Sequence, residues 1–146
     1  MKEPHKPVGS HREQLLEKLN TFELAFELVH PSYRGPIDWK ERAATLREAT
    51  VGLRLYLSDH LAPKELMEWR ELPDSDADIA SFAYELKMEH ADLLRELGNL
   101  IQAIDKLETT LDRHEATLQI CKQGHSLAQR IARHAGGEEA ELGRYF

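Results

Sequence analysis

The chain has 146 residues, 19 of them basic and 26 acidic, and its net charge of −7 argues against binding to nucleic acid or to an anionic membrane surface. The single cysteine, Cys121, excludes an internal disulfide and suits a reducing compartment. Residues 1–10 lack the apolar core of a signal peptide, and no segment reaches the ~20 apolar residues that span a bilayer, so we expect a cytoplasmic protein with one domain over residues 1–146.

Three clusters of turn-forming residues divide the chain into four predicted helices. Turns are predicted at residues 30–38, which contain two prolines and a glycine, at residues 73–78, and more weakly at residues 109–112. Connections this short favour antiparallel neighbours. The sequence therefore predicts an all-α fold, an up-down-up-down four-helix bundle.

An apolar stripe with steps of three and four residues marks the core-facing side of each predicted helix. In the first two helices the stripe positions are His11, Leu15, Leu19, Phe22, Phe26 and Val29, then Leu46, Thr50, Leu53, Leu57 and His60. In the last two they are Ala83, Leu86, His90, Leu93, Leu94, Leu97, Ile101, Ile104 and Leu107, then Leu127, Ile131 and His134. Each stripe thus carries one histidine toward the predicted core.

These four histidines are also expected at one height in the bundle. His11 lies 20 residues before Pro31 and His60 lies 22 residues after Asp38, both counted from the first predicted turn. His90 lies 19 residues before Thr109 and His134 lies 22 residues after Asp112, both counted from the third. At ~1.5 Å per helical residue each span rises by roughly 30 Å, so the four imidazoles are predicted to converge.

The other four histidines are expected to lie outside the core. On the fourth helix, His125 and His114 are rotated by about 180° and 200° from His134, which places them on the solvent face. His30 falls in the first predicted turn, and His5 lies in the N-terminal segment.

A single inward histidine is most often a core imidazole that is held by a hydrogen bond to a neighbouring helix. Four at one height are different, because each imidazole buried without a partner costs on the order of 1–3 kcal/mol. A cation bound by the imidazole lone pairs removes that cost. The pattern therefore favours a metal site.

Carboxylates near the same height would balance the charge of a buried cation. Glu138 and Glu139 follow His134 by four and five residues, and Glu65 follows His60 by five. Five residues are about 140° of helical rotation, which aims Glu65 away from the site. The proline between Glu65 and His60 cannot donate to the carbonyl four residues before it, and a one-residue bulge there would turn Glu65 back.

This order of residues resembles the hemerythrin-like family, also called the HHE cation-binding domain, over roughly residues 8–142. The family has a histidine on the first helix, a His and Glu pair on the second, one or two histidines on the third, and a His followed by an acidic residue on the fourth. The matching residues here are His11, His60 with Glu65, His90, and His134 with Glu138 or Glu139.

The resemblance implies two non-haem iron ions of the Fe-O-Fe type, bound by the four histidines and bridged by Glu65 and by Glu138 or Glu139. Imidazole and carboxylate suit iron, and zinc or manganese accepts the same ligands. An open position on one iron would admit dioxygen or nitric oxide.

Three departures from the family pattern favour sensing, iron handling or a redox role over reversible oxygen carriage. Leu94 stands where oxygen carriers have a second histidine on the third helix. The spacing of the second-helix pair is longer by one residue, and the Gly136-Gly137 pair is expected to interrupt the fourth helix.

Two classes of function follow from this pattern. The first is a metal-binding protein that binds or senses dioxygen or nitric oxide, or handles iron. The second is a regulatory or scaffolding helical bundle whose metal site is weakened or lost. An enzyme is less favoured, because Cys121 has His125 one turn further along but no third group that would orient the pair is recognisable. The sequence does not specify an oligomeric state.

Overall fold

The structure is a computed structural model that describes the backbone over residues 9–60 and 77–142 and the side chains over 13–59, 84–85 and 87–134. The described ranges form α-helices and no strand, which confirms the predicted all-helical class. The helices are α1 (Gly9–Val29), α2 (Trp39–His60), α3 (Ala77–Asp105) and α4 (Arg113–Leu142), with a 3-10 turn at Leu107–Thr109. None of the helices in these ranges is both long and apolar enough to cross a membrane.

Aspartate caps explain where two of the helices begin. Asp38 Oδ1 accepts a hydrogen bond from the backbone N–H of Glu41 at 2.9 Å just before α2, and Asp112 Oδ1 accepts one from Glu115 at 3.1 Å just before α4. Each carboxylate satisfies an N–H group that the first helical turn leaves without an intrahelical acceptor. The first and third predicted turns are therefore confirmed.

The second predicted turn, at residues 73–78, lies mostly outside the described residues, which resume where α3 begins at Ala77.

The buried core is built from the predicted stripes of all four helices. Its largest fully buried apolar side chains are Phe22, Val29, Leu46, Leu53, Leu57, Leu93, Leu97, Leu100, Leu107, Leu127 and Ile131. These positions recur at steps of three and four residues, so the helical periodicity of the sequence correctly located the core.

The core-facing side of α3 is rotated slightly from the predicted stripe. Leu94 and Ile101 were predicted to face the core but are only half-buried, whereas Leu100 was not predicted and is fully buried. α3 packs against both α2 and α4, and the flank that carries Leu94 faces α2, where Arg54 donates to the Leu94 carbonyl at 3.0 Å. The side chains of Ala83 and Leu86 lie outside the described part of the chain.

Each helix packs against two others: α1 and α3 both contact α2 and α4. α1 and α4 meet at a group that we call the phenylalanine cluster, formed by Phe22, Phe26 and Gly124. The two rings meet edge to face with centroids 5.0 Å apart. A Cβ atom at Gly124 would overlap the ring of Phe26, so the missing side chain is what lets the two helices approach here.

Candidate metal centre

Two of the four predicted inward histidines, His90 and His134, lie side by side in the core. His90 comes from α3 and His134 from α4, and their exposed fractions are only 4% and 2%. Their ring centroids are 5.6 Å apart and the ring planes are inclined by 52°. We call these two residues the histidine pair. For both, the predicted inward orientation is confirmed.

A carboxylate on the neighbouring helix fixes the ring of His134. Its Nδ1 lies 2.7 Å from Oε1 of Glu89 on α3. A carboxylate only accepts hydrogen bonds, so Nδ1 is the donor and carries a hydrogen. Glu89 is half-exposed while the side chain of His134 is 1% exposed, so the carboxylate reaches the buried ring from the edge of the core.

The ring of His90 is bound differently. It donates a hydrogen bond to the backbone carbonyl of Leu57 on α2. Burial, reinforced by the charge that His134 can carry, lowers the pKa of His90 to about 4, although the Leu57 hydrogen bond opposes that shift. His90 is therefore neutral at pH 7, which is the form of imidazole that binds metals.

The separation of the two rings can be compared with the separation expected for a shared cation. In each neutral ring one nitrogen donates to an oxygen and the other carries the lone pair that a metal ligand needs. Nε2 of both rings is shielded from solvent. Two imidazoles on one tetrahedral ion, at a metal–nitrogen distance of ~2.1 Å, have ring centroids roughly 5 Å apart, which is close to the observed separation.

Two donors do not complete such a site. Within the part of the chain whose side chains the structure describes, no three His, Cys, Asp or Glu residues are grouped closely enough to hold one ion. Leu94, one turn after His90, supplies no second imidazole from α3. The remaining ligands would have to come from residues beyond the described side chains.

Comparison with known proteins gives no family model that matches the chain and no significantly similar curated protein or solved structure.

The side chains of the other predicted ligands lie outside the described part of the structure. His11 belongs to α1 and His60 is the last residue of α2, but only their backbone is described. The same holds for Glu138 and Glu139 on α4. Glu65, together with the bulge that was predicted to reorient it, lies outside the described residues.

The predicted interruption at Gly136-Gly137 is wrong. α4 is continuous from Arg113 to Leu142, and no described glycine has a positive φ. Glycine weakens a helix by about 1 kcal/mol relative to alanine but can adopt helical angles. In a helix of 30 residues these two positions follow the backbone hydrogen-bonding pattern of their neighbours.

The described histidines outside the predicted stripes lie outside the core, as predicted. His114 and His125 are exposed on α4. His30 is half-buried in the first turn, where its Nδ1 lies 2.8 Å from the Ser32 hydroxyl. His5 lies outside the described residues.

The surroundings of Cys121 do not activate its thiol as a nucleophile. Its half-buried Sγ donates to the Phe26 carbonyl at 3.9 Å, and burial raises the pKa of the thiol above its usual value. The less reactive protonated form therefore dominates at neutral pH.

A surface pocket of about 380 Å³ lies beside Cys121. Its lining residues are Phe26, Glu27, His30, Ser32 and Cys121.

Sequence reasoning missed Glu89. It is not one of the predicted core positions, and about half of its side chain is exposed. Its adjacency to His90 is the one local signal, but its partner His134 is 45 residues away in sequence. Only the packing of α3 on α4 reveals the contact.

Proposed function

We propose that this protein is a metal-binding four-helix bundle of the hemerythrin-like type, with up-down-up-down connections and a pair of non-haem irons as its cofactor. The observation that carries the proposal is the histidine pair: two buried imidazoles from adjacent helices, each oriented by an oxygen acceptor. With an open coordination position, such a centre binds dioxygen or nitric oxide, and the same ligands serve iron storage or transfer.

Contacts between helices support the up-down-up-down arrangement, because the contacting residue numbers rise on one helix as they fall on its neighbour. Between α1 and α2, Leu28 contacts Arg42 while Gln14 contacts Tyr56. The same relation holds for the other three pairs of neighbouring helices. The contacts are Arg47 with Asp105 and Arg54 with Leu94 between α2 and α3, Asp92 with Arg130 and Glu89 with His134 between α3 and α4, and Phe26 with Cys121 and Glu23 with His125 between α1 and α4.

The same contacts support a place for two more histidines near the pair. The Leu57 carbonyl on α2 accepts a hydrogen bond from His90. The preceding residue, Tyr56, donates one to Gln14 on α1. His60 follows Leu57 by three residues and His11 precedes Gln14 by three, a rise of ~4.5 Å on each helix. With antiparallel α1 and α2, both positions lie beyond the histidine pair toward the same end of the bundle.

The continuous α4 favours Glu138 over Glu139 as its carboxylate ligand. Position 138 is one helical turn beyond His134 and on the same side of the helix, whereas position 139 is rotated by about 140°. The direction is again toward the end at which His11 and His60 are expected. Glu65 would supply the second carboxylate, and zinc or manganese accepts the same donors.

Iron stoichiometry of aerobically purified protein tests the proposal. We expect iron bound as a pair, with the near-ultraviolet absorption of oxo-bridged iron. His90→Leu should bind less than half as much, because it removes a ligand while filling the core with an apolar side chain. His125→Leu, which makes the same change at an exposed position of α4, should keep the wild-type iron content.

Protein that is purified without metal, and whose melting temperature does not respond to iron, zinc or manganese, would contradict the proposal. A ligand that binds only the folded state at 100 times its Kd stabilises that state by about 2.7 kcal/mol, so even moderate affinity would be visible in melting.

A regulatory or scaffolding bundle whose metal site is weakened or lost is the second candidate. The observation that favours it is that Leu57 and Glu89 each supply a protein acceptor to one ring of the histidine pair. Buried polar groups held in this way are tolerated in a core without any ligand. Under this function, His90→Leu and wild type would show the same low metal content.

A further inference from the structure

We propose that Glu89 is a positioning residue for His134: its carboxylate keeps the hydrogen of the imidazole on Nδ1 and thereby leaves Nε2 as the nitrogen that binds metal. The consequence for metal affinity rests on the proposed function. The control of the tautomer does not, because it follows from the contact itself.

The contact is short and its direction is unambiguous. Nδ1 of His134 and Oε1 of Glu89 are 2.7 Å apart, within the range of charge-assisted hydrogen bonds. The carboxylate can only accept, so the hydrogen must be on Nδ1. In the neutral ring the lone pair is then on Nε2, which is shielded from solvent.

Burial makes this orientation restrictive. The side chain of His134 is 1% exposed, so water cannot compete with Glu89 for Nδ1. Rotation of the ring would break the hydrogen bond between Nδ1 and the Glu89 carboxylate. A buried N–H group without an acceptor is unfavourable by about the strength of a hydrogen bond, and this holds the ring in one orientation.

A second acidic residue on the same side of α3 has a different task, which makes it a matched control. Asp92 follows Glu89 by three residues and is about one-third exposed, but its carboxylate binds arginines: Arg130 of α4 at 2.8 Å, and Arg95 of its own helix. Both carboxylates thus link α3 to α4. Only Glu89 does so through an imidazole.

A carboxylate behind a histidine ligand also acts on the bound metal. It fixes the ring and makes the coordinating nitrogen more basic, and loss of such a partner weakens metal binding by about 10–100-fold. Because Glu89 is half-exposed and contributes little apolar area to the core, its replacement should leave the fold intact.

The test combines two readouts on Glu89→Ala, Glu89→Gln and Asp92→Asn. The first is the tautomer of His134 in metal-free protein, measured by ¹⁵N chemical shifts and long-range ¹H–¹⁵N couplings. The second is Fe²⁺ affinity under anaerobic conditions, measured by competition with a coloured chelator.

We expect a His134 Nδ1–H signal in the wild type, in Glu89→Gln, whose amide oxygen still accepts, and in Asp92→Asn. Glu89→Ala should lose that signal and bind Fe²⁺ about 10–100-fold more weakly, with Glu89→Gln between it and the wild type. Asp92→Asn should stay close to the wild-type affinity.

An Nε2–H signal for His134 in the wild type would overturn the inference, and so would equal weakening by Glu89→Ala and Asp92→Asn, which would indicate a general effect of helix packing. If no form binds Fe²⁺ but the Nδ1–H signal still depends on Glu89, the positioning role stands and the proposed metal function fails.

Discussion

The phenylalanine cluster and the histidine pair lie in one core, but apolar packing holds the first and hydrogen bonds hold the second. At the cluster, two fully or almost fully buried rings meet edge to face, and Gly124 lets α4 approach α1. At the pair, two equally buried rings are polar, and each is bound to an oxygen of the adjacent helix. The cluster needs only close packing, whereas the pair needs specific acceptors.

The two kinds of buried ring differ in what makes their burial favourable. Burying an apolar ring is favourable by itself, whereas a buried imidazole offsets its lost hydration only if its hydrogen bonds are made. Leucine at position 90 would fill similar space without needing the Leu57 carbonyl. Apolar packing alone therefore does not require histidines at these two positions, and each of them depends on its oxygen acceptor.

The largest effect is expected at the phenylalanine cluster. Phe22 is 0% exposed, and Phe22→Ala should lower the free energy of unfolding by about 3–5 kcal/mol, because the cavity adds to the lost apolar burial. Urea denaturation measures this. Leu24→Ala, at a half-exposed position of the same helix, should have a much smaller effect. A similar loss for both would break the distinction between the cluster and the surface.

The second effect concerns the histidine pair in metal-free protein. The pKa of His90 is about 4 in the folded state, against about 6.5 in the unfolded chain, so between these values the unfolded state binds more protons. Stability should therefore fall as the pH is lowered from 6.5 to 4, by about 3 kcal/mol in total. Urea midpoints across this pH range measure the loss.

Subtracting the same curve for His90→Leu isolates the contribution of His90 from those of other titrating groups. The free energy of unfolding of the wild type minus that of His90→Leu should be constant above pH 7 and should fall steadily as the pH is lowered to 4. A difference that does not change with pH would mean that His90 is not protonated more easily in the unfolded chain.

The smallest effect tests the closeness of packing at the cluster with two glycines. At Gly124 an added Cβ overlaps Phe26, and overpacking of about 1–3 kcal/mol should outweigh the ~1 kcal/mol gain in helix propensity. At Gly52 nothing lies within 4 Å of an added Cβ. Gly124→Ala should therefore destabilise the protein and Gly52→Ala should stabilise it by about 0.5–1 kcal/mol. Thermal melts of the two variants should move in opposite directions, and stabilisation by both would show that α1 and α4 are loosely packed at Gly124.

Sequence reasoning succeeded where the signal is local. Two of the predicted turns end at Asp38 and Asp112, and in the structure the side chains of these aspartates bond to backbone groups three residues away and begin α2 and α4. The direction of His90 and His134 followed from the helical period, since each lies at steps of three and four residues from leucines and isoleucines of the core. Among the described side chains, α3 departs from the predicted stripe, because Leu100 is fully buried while Leu94 and Ile101 are half-buried.

Sequence reasoning was less successful where several weak preferences compete. Gly136-Gly137 was predicted to interrupt α4, but a local preference of about 1 kcal/mol per glycine is small beside the cooperativity of a long helix. The continuous helix in turn favours Glu138 over Glu139, a choice that the sequence left open.

The sequence by itself determined the all-helical class of the described ranges, most of the core-facing positions and the inward direction of the histidine pair, because helical periodicity acts over a few residues. Only the tertiary structure decided what those histidines bind. The contact of Glu89 with His134 and that of Leu57 with His90 depend on the axial register between helices. That register is set by packing at many points at once, including Phe26 against Gly124 and Asp92 with Arg130, and no short stretch of sequence encodes it.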